Sequence, residues 1–492
     1  LGASPESVAA QLLLAPPHAD PWVVDRLREA AAVAQRRGAP DAALALLERA
    51  QAEPPPPEQQ AALALQLGAS AAFVRGPAGV EPLRRAYEEL TDPEERGRAA
   101  VRLSHLLLFV SSPQEGVALA QRAADELPPG LHDLREGLLA IGLIGNAFGV
   151  DSAPAPLDAL RAGPRGSGPG ARSLTAMASF VVAMSGGPAE DAAALAREAL
   201  DSDSLDGFEV TAPVALGGTV LTLTEPGEGL RAMERYAAHA AKLGEILGQI
   251  GADLWGGYAR IWAGDLPGAL AWLERAHEGE LLWGTKLDAV MGYSAAFTAL
   301  AELERGDIDA AWTALQRVDA GHGTSDGARQ WLSSWAALCL ATEQYDEALA
   351  LSHRLEGVRP PDSHPLWDPW RGLRAPALLA LGRPDEAFAL AEEELAVAQR
   401  VAAPWVVGRQ WRLLADLQGR DGANAARQAI ALLKPSSARL QLAHAYAALW
   451  RALERGAEAE AARQSALTLA RACGAGRLAE ALAAGTLPPC SG

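Results

Sequence analysis

The sequence predicts an all-α fold, a right-handed superhelical solenoid of stacked helix pairs. Three observations carry this. Ala, Leu, Arg and Glu dominate the 492 residues, while strand-favouring Ile, Tyr and Phe are scarce. Apolar residues make up 49% of the chain but aromatics only 5%, which suits small-residue helix contacts better than one aromatic-centred core. A Gly followed five residues later by Ala, then by further Ala/Leu turns, recurs along the chain.

The recurring unit reads GAPDAALALLERA at 38–50, GDLPGALAWLERA at 264–276, GDIDAAWTALQRV at 306–318, EQYDEALALSHRL at 343–355, GRPDEAFALAEEEL at 382–395 and GAEAEAARQSALTLA at 456–470. Gly264, Gly306, Gly382 and Gly456 mark helix junctions, and Ala269, Ala311, Ala348, Ala387 and Ala461 are the anchors that follow. The gaps between successive anchors are 42, 37, 39 and then 74, the last being two periods with a weaker copy near Ala425. Gly187 with Ala192 fits the same rule in the earlier half. Such a period holds two helices and two short turns. The Gly permits the positive φ that ends one helix. An Asp just after it caps or charge-stabilises the start of the next. The Ala sits where paired helices approach most closely, so a larger side chain would overpack by about 1–3 kcal/mol. No pair can bury its apolar stripe alone, so pairs must stack. This spacing resembles the tetratricopeptide (TPR) repeat, in a degenerate form that mostly lacks its Trp and Tyr.

Breaks divide the array into a leading helical segment at 1–53, repeats at 58–161, Trp-rich repeats at 173–358, C-terminal repeats at 371–484 and a tail at 485–492. PPPP at 54–57 makes the first break, and AGPRGSGPGAR at 162–172 reads as a flexible loop. RPPDSHPLWDPW at 359–370 reads as an ordered loop, because Pro restricts the chain and its two Trp favour burial. FEVTAPVALGGTVLTLT at 208–224 is rich in β-branched residues, yet reads as a buried helix because the repeat runs through it and a lone strand would have no partner.

Composition narrows function. A net charge of −18 excludes the broad basic footprint of a nucleic-acid binder. Cys339, Cys473 and Cys490 show no paired spacing, which fits a reducing cytoplasm rather than a disulfide framework or a zinc site. Apolar runs such as 138–144 are too short for a bilayer, and the start lacks a signal-peptide pattern. The first residue is Leu1, which suggests a fragment or a processed chain. Glu392, Glu393 and Glu394, and Asp201 with Asp203, read as solvated faces or helix ends rather than acid–base pairs. His353 and His364 lack the company of a metal site, GGT at 217–219 and GSGPG at 166–170 lack a phosphate-loop setting, and no Ser or Cys sits in a nucleophile motif. The chain therefore reads as non-catalytic, with no cofactor of its own.

The stretches 11–50, 379–415 and 436–482, with the closing LPP, resemble the helical region of large ATP-binding LuxR-type transcriptional regulators of actinobacteria. The likeness covers nearly the whole chain. It implies a region that senses a signal or a partner and restrains output modules. The ATPase and helix-turn-helix modules of that class find no counterpart here: GxxxxGK[ST] is absent, and none of Lys242, Lys286 and Lys434 follows a phosphate loop. ATP and DNA would be handled only by such absent modules. The alternative is a stand-alone TPR-like scaffold. The partners expected are protein segments or a small-molecule effector, with self-association compatible with such a stack and no membrane contact.

Tryptophan is the uneven feature: 11 of the 13 lie between Trp255 and Trp411. Trp331 and Trp335 share a helix face, Trp367 and Trp370 flank the Pro-rich loop, and Trp255, Trp262, Trp272 and Trp283 crowd two repeats. One reading is large residues filling gaps between irregular repeats. The other is an aromatic-lined concave pocket built by Trp255, Trp283, Trp331, Trp335, Trp367 and Trp370, with Arg329, Arg371 and Asp368 as polar partners.

Overall fold

A computed structural model describes residues 5–53, 55, 57–150, 166–200, 205, 210–285, 287–320, 323–357 and 363–486. Its regular elements are α-helices joined by short turns, with one 3-10 turn at Gly419–Gly422, and no strand occurs among the described residues. The fold is an all-α superhelical stack of TPR-like helix pairs. The β-branched stretch is a buried helix, Ala212–Thr224.

The turn chemistry follows the repeat. Gly38, Gly264, Gly306 and Gly382 all take positive φ. In the copy that begins with Glu343 the same left-handed position is filled by Glu343 itself, at φ 61°. Asp265 and Asp307 cap the helices Leu266–Trp283 and Ile308–Leu315, accepting from Gly268 N at 3.0 Å and Ala310 N at 2.9 Å. Pro occupies the first turn of many helices, including Pro226–Leu243, Pro384–Val401 and Pro404–Gln418, where its missing N–H has no partner to lose. Ala43, Ala192, Ala269, Ala311, Ala348 and Ala387 are all buried at helix–helix contacts.

Two anchors differ. Ala461 is exposed, and Ala462 is the buried residue. Here Glu454 (φ 54°) takes the left-handed position and Gly456 (φ 113°, ψ 172°) is itself the N-cap of Ala457–Cys473, so the Gly-to-Ala count is out of step with the inward face. In the earlier half the left-handed residue is Gly186 rather than Gly187. The predicted flexible loop at 162–172 falls partly outside the described residues; from Pro169 onward it is already helix.

The stack winds until one superhelical turn rests on the next. Trp283 Nε1 donates to Ala72 O at 2.8 Å, Gly227 N to Ser437 Oγ at 2.7 Å and Trp405 Nε1 to Leu223 O at 3.0 Å. The Glu225 carboxylate accepts from Ser436 Oγ and Ser437 N, both at 2.8 Å. Repeat turns sit directly on each other at this seam. A Cβ on Gly38 would lie 2.0 Å from Lys242 O, and one on Gly264 would lie 2.6 Å from Cys473 Sγ, so glycine is required there by contact as well as by φ. No helix among the described residues is long and apolar enough to cross a membrane.

Candidate functional site

Winding brings the inner faces of distant helices together, and aromatic rings meet there. Trp255 stacks on Trp367 at 5.9 Å and 25°. Tyr258 lies 4.5 Å from Phe297, and Phe180 meets Trp367 edge-on at 5.6 Å. Trp367 is fully buried; its indole N–H donates to Asp326 Oδ2 at 3.1 Å, and its carbonyl accepts from Gln330 Nε2 at 2.9 Å. The Pro-rich segment from Ser363 to Pro369 is thus an ordered plug in the interior. His364 is buried within it, and burial pushes its imidazole down to about 3, so it is neutral at ordinary pH.

The singled-out tryptophans do not converge on one pocket. Trp255 lines an interior cavity. Trp283 stands at the seam on Ala72. Trp331 and Trp335 pack on each other at 5.0 Å, and Trp331 donates to Leu315 O at 2.9 Å. Trp370 lies beneath the Arg371 and Arg374 guanidinium groups, at 4.2 and 4.6 Å. The nominated polar partners pair with protein groups: Arg329 with Asp326 at 2.8 Å and with Asp368, and Arg371 with Glu393 and Glu394 at 3.3 and 3.6 Å. Glu394 is therefore not on a solvated face. It is fully buried, and desolvation, opposed by Arg371 and Arg409, raises its carboxyl to about 7.

Two cavities flank the aromatic wall. The first, of about 80 Å³, is apolar and lined by Phe109, Phe148, Leu216, Leu254, Trp255 and Tyr293 among others. The second, of about 70 Å³, is bounded by Tyr258, Trp262, Phe297, Glu304, Gln330, Ser333, Arg409 and Gln441 among others. Five helices supply these groups: Ile246–Ala263, Asp288–Arg305, Asp326–Ala341, Pro404–Gln418 and Arg439–Leu453. Some polar members are held by protein. Ser334 Oγ donates to Ala296 O at 2.9 Å, and Glu304 meets His444 Nε2 at 3.0 Å. Desolvation pushes the Glu304 carboxyl up, but His444, Arg477 and Arg412 together hold it below the usual range. Others have no protein hydrogen bond: Ser333 Oγ, Gln441 Oε1 and Arg409 Nε. Buried polar atoms in folded proteins are nearly always paired, with protein or with water, so these three remain open to a further partner.

Sequence reasoning passed over Arg409, Gln441, Ser333 and Tyr258. A signal was present in VVGRQWRLL at 406–414, where Arg409, Gln410 and Arg412 interrupt an otherwise apolar helix, and all three are buried. Among the described residues no cluster of His, Cys, Asp and Glu has the arrangement of a metal site.

No protein-family model and no curated protein sequence matches the chain. Solved structures similar to it include Cut9–Hcn1 of the APC/C hetero-tetramer, at 13% identity over 95% of this chain and 90% of that one with a TM-score of 0.37. Another is Tom70 of yeast, at 12% identity over 94% and 96% with a TM-score of 0.29. At these scores neither carries an argument about function, and the fold assignment rests on the chain's own helix order, turns and seam.

Proposed function

We propose that this chain is the signal-sensing helical region of a LuxR-type regulator, and that it holds a small-molecule effector inside the superhelix rather than on an open groove. The observation that carries the ligand reading is the second cavity, where aromatic walls and unpaired buried polar atoms from helices far apart in sequence converge. A ligand there would bridge successive superhelical turns and so bias how tightly the stack is wound. The role in transcription rests on the resemblance of the flanking stretches.

The test is a thermal-shift screen of the wild-type chain and Ser333→Phe, which fills the cavity, against a metabolite panel. The expected result is one or more compounds that raise the wild-type midpoint and leave the filled variant unmoved. Effector sensing fails if no compound shifts the wild type, or if both proteins respond alike.

A second reading, a scaffold for protein segments, draws on the outer surface, where Leu281 and Leu282 stand exposed at the end of Leu266–Trp283. It places its partner outside the superhelix, so Ser333→Phe would leave that binding intact.

A further inference from the structure

The buried arginines around the second cavity are not treated alike. Arg374 hydrogen-bonds Ser352 and pairs with Glu356 at 2.8 Å, and Arg412 pairs with Asp416 at 2.7 Å. Arg371 pairs with Glu393 and Glu394. Arg409 is equally buried, yet among the described residues no hydrogen bond or ion pair holds its guanidinium. It faces the cavity, in company with the unpaired oxygens of Ser333 and Gln441.

Glu394 and Glu304 favour its charge from a distance, but neither forms an ion pair with it. Glu304 lines the same cavity but is engaged by His444 at 3.0 Å. The Glu394 carboxyl approaches from the neighbouring helix without forming an ion pair to Arg409, and burial raises it to about 7, so at neutral pH it is ionised only in part. Arg412, itself paired with Asp416, lies near enough to disfavour the Arg409 charge further. Burial lowers Arg409 only to about 10, so it stays cationic. A desolvated guanidinium with unused donors is matched best by a planar oxyanion, which takes two parallel N–H···O bonds.

Taking the effector reading as given, we propose that the cavity selects a small organic anion: a carboxylate on a planar apolar body that carries one further hydroxyl. Arg409 takes the carboxylate, and Ser333 donates to it. Gln441 offers its amide oxygen to the ligand hydroxyl. The rings of Trp262 and Phe297 cover the apolar body.

The test uses two isosteric probes, 6-hydroxy-2-naphthoate and the uncharged 6-hydroxy-2-naphthamide, titrated calorimetrically into the full chain. The wild type should bind the carboxylate about tenfold or more tightly than the amide. Arg409→Gln should lower the carboxylate to the level of the amide while leaving amide binding in place, and Arg409→Lys should retain part of the preference. Ser333→Phe should remove both. Circular dichroism on each variant separates loss of binding from loss of fold. Equal affinity of the wild type for both probes overturns anion selection and leaves effector binding standing, provided Ser333→Phe abolishes both. No carboxylate binding in the millimolar range, or a preference that survives in Arg409→Gln, also overturns the proposal.

Discussion

Two cavities lie on either side of one aromatic wall, and their linings are opposite in kind. The one bounded by Phe109, Phe148 and Trp255 is almost wholly apolar. The one bounded by Trp262, Arg409 and Gln441 keeps hydrogen-bonding atoms without protein partners. Both arise from the same winding of helix pairs. The first is imperfect packing of a kind any curved stack of unequal repeats leaves behind, and an apolar void of this type is tolerated without a ligand. The second carries an electrostatic penalty that packing irregularity does not explain. Enclosed volume is common to both; unpaired donors and acceptors distinguish the second.

The sharpest way to break the contrast is to remove the wall. Trp255→Ala should join the apolar cavity to the space around Trp367, Tyr258 and Phe297, whose rings it contacts. A destabilisation of about 3–5 kcal/mol is expected, read as a lower urea midpoint. Retention of wild-type stability would show that the wall is not a packing element.

The next effect is a pH dependence on the polar side. The Glu394 carboxyl titrates higher in the folded chain, at about 7, than its ordinary 4.5. The folded state therefore binds more protons than the unfolded between these values, and stability falls as pH rises from about 4.5 to about 7. The full loss is on the order of 3 kcal/mol. Glu394→Gln should flatten that part of the profile. An unchanged slope in the variant would assign the dependence to another group, Glu245 being next in line because burial raises it to about 7 as well.

Arg409→Met exchanges a buried unpaired charge for an apolar side chain. Without ligand it should stabilise the fold by about 2 kcal/mol, read as a higher urea midpoint. A fall in stability instead would mean that Arg409 is held by interactions of the fold. On the apolar side, Gly251→Ala adds a methyl 3.6 Å from the Tyr236 ring and 3.7 Å from Ala215 Cβ, in ordinary contact distance and within the helix Ile246–Ala263. Better helix propensity and partial filling should stabilise by about 1 kcal/mol, with no effect on ligand binding in the other cavity.

Helices, turns and most anchors were legible in the sequence because they depend on neighbours a few residues away. Gly264 sets φ for its own turn, Asp265 caps the next residues, and Ala269 fits the partner helix one turn later. The slip at Ala461 came from a turn in which Glu454 is the left-handed residue and Gly456 the N-cap, a difference below what a motif spacing can resolve. The interior was much less legible. Which Trp meets which is fixed by how far the stack curves, and that sums small angles over many repeats. Trp283 and Ala72 illustrate the limit: they stand 211 residues apart and share a hydrogen bond that no local pattern announces. Arg409 was visible as a polar break in an apolar helix, but its lack of a partner is a property of five helices at once.

The turn-on-turn seam changes how this array should unfold. In an open solenoid each repeat touches only the one before and the one after, so stability propagates along a line and the ends fray independently. Here Gly38 abuts Lys242, and Gly264 abuts Cys473, so a repeat also has neighbours a full winding away. The coupling is that of a rolled sheet rather than a chain of beads. Loss of one repeat would shift every later contact out of register with the winding beneath it, so the number of repeats is constrained as tightly as their sequence. Amide exchange should accordingly show the middle of the chain opening as one cooperative unit, with the slowest protons on both sides of the seam rather than at the centre of any one repeat.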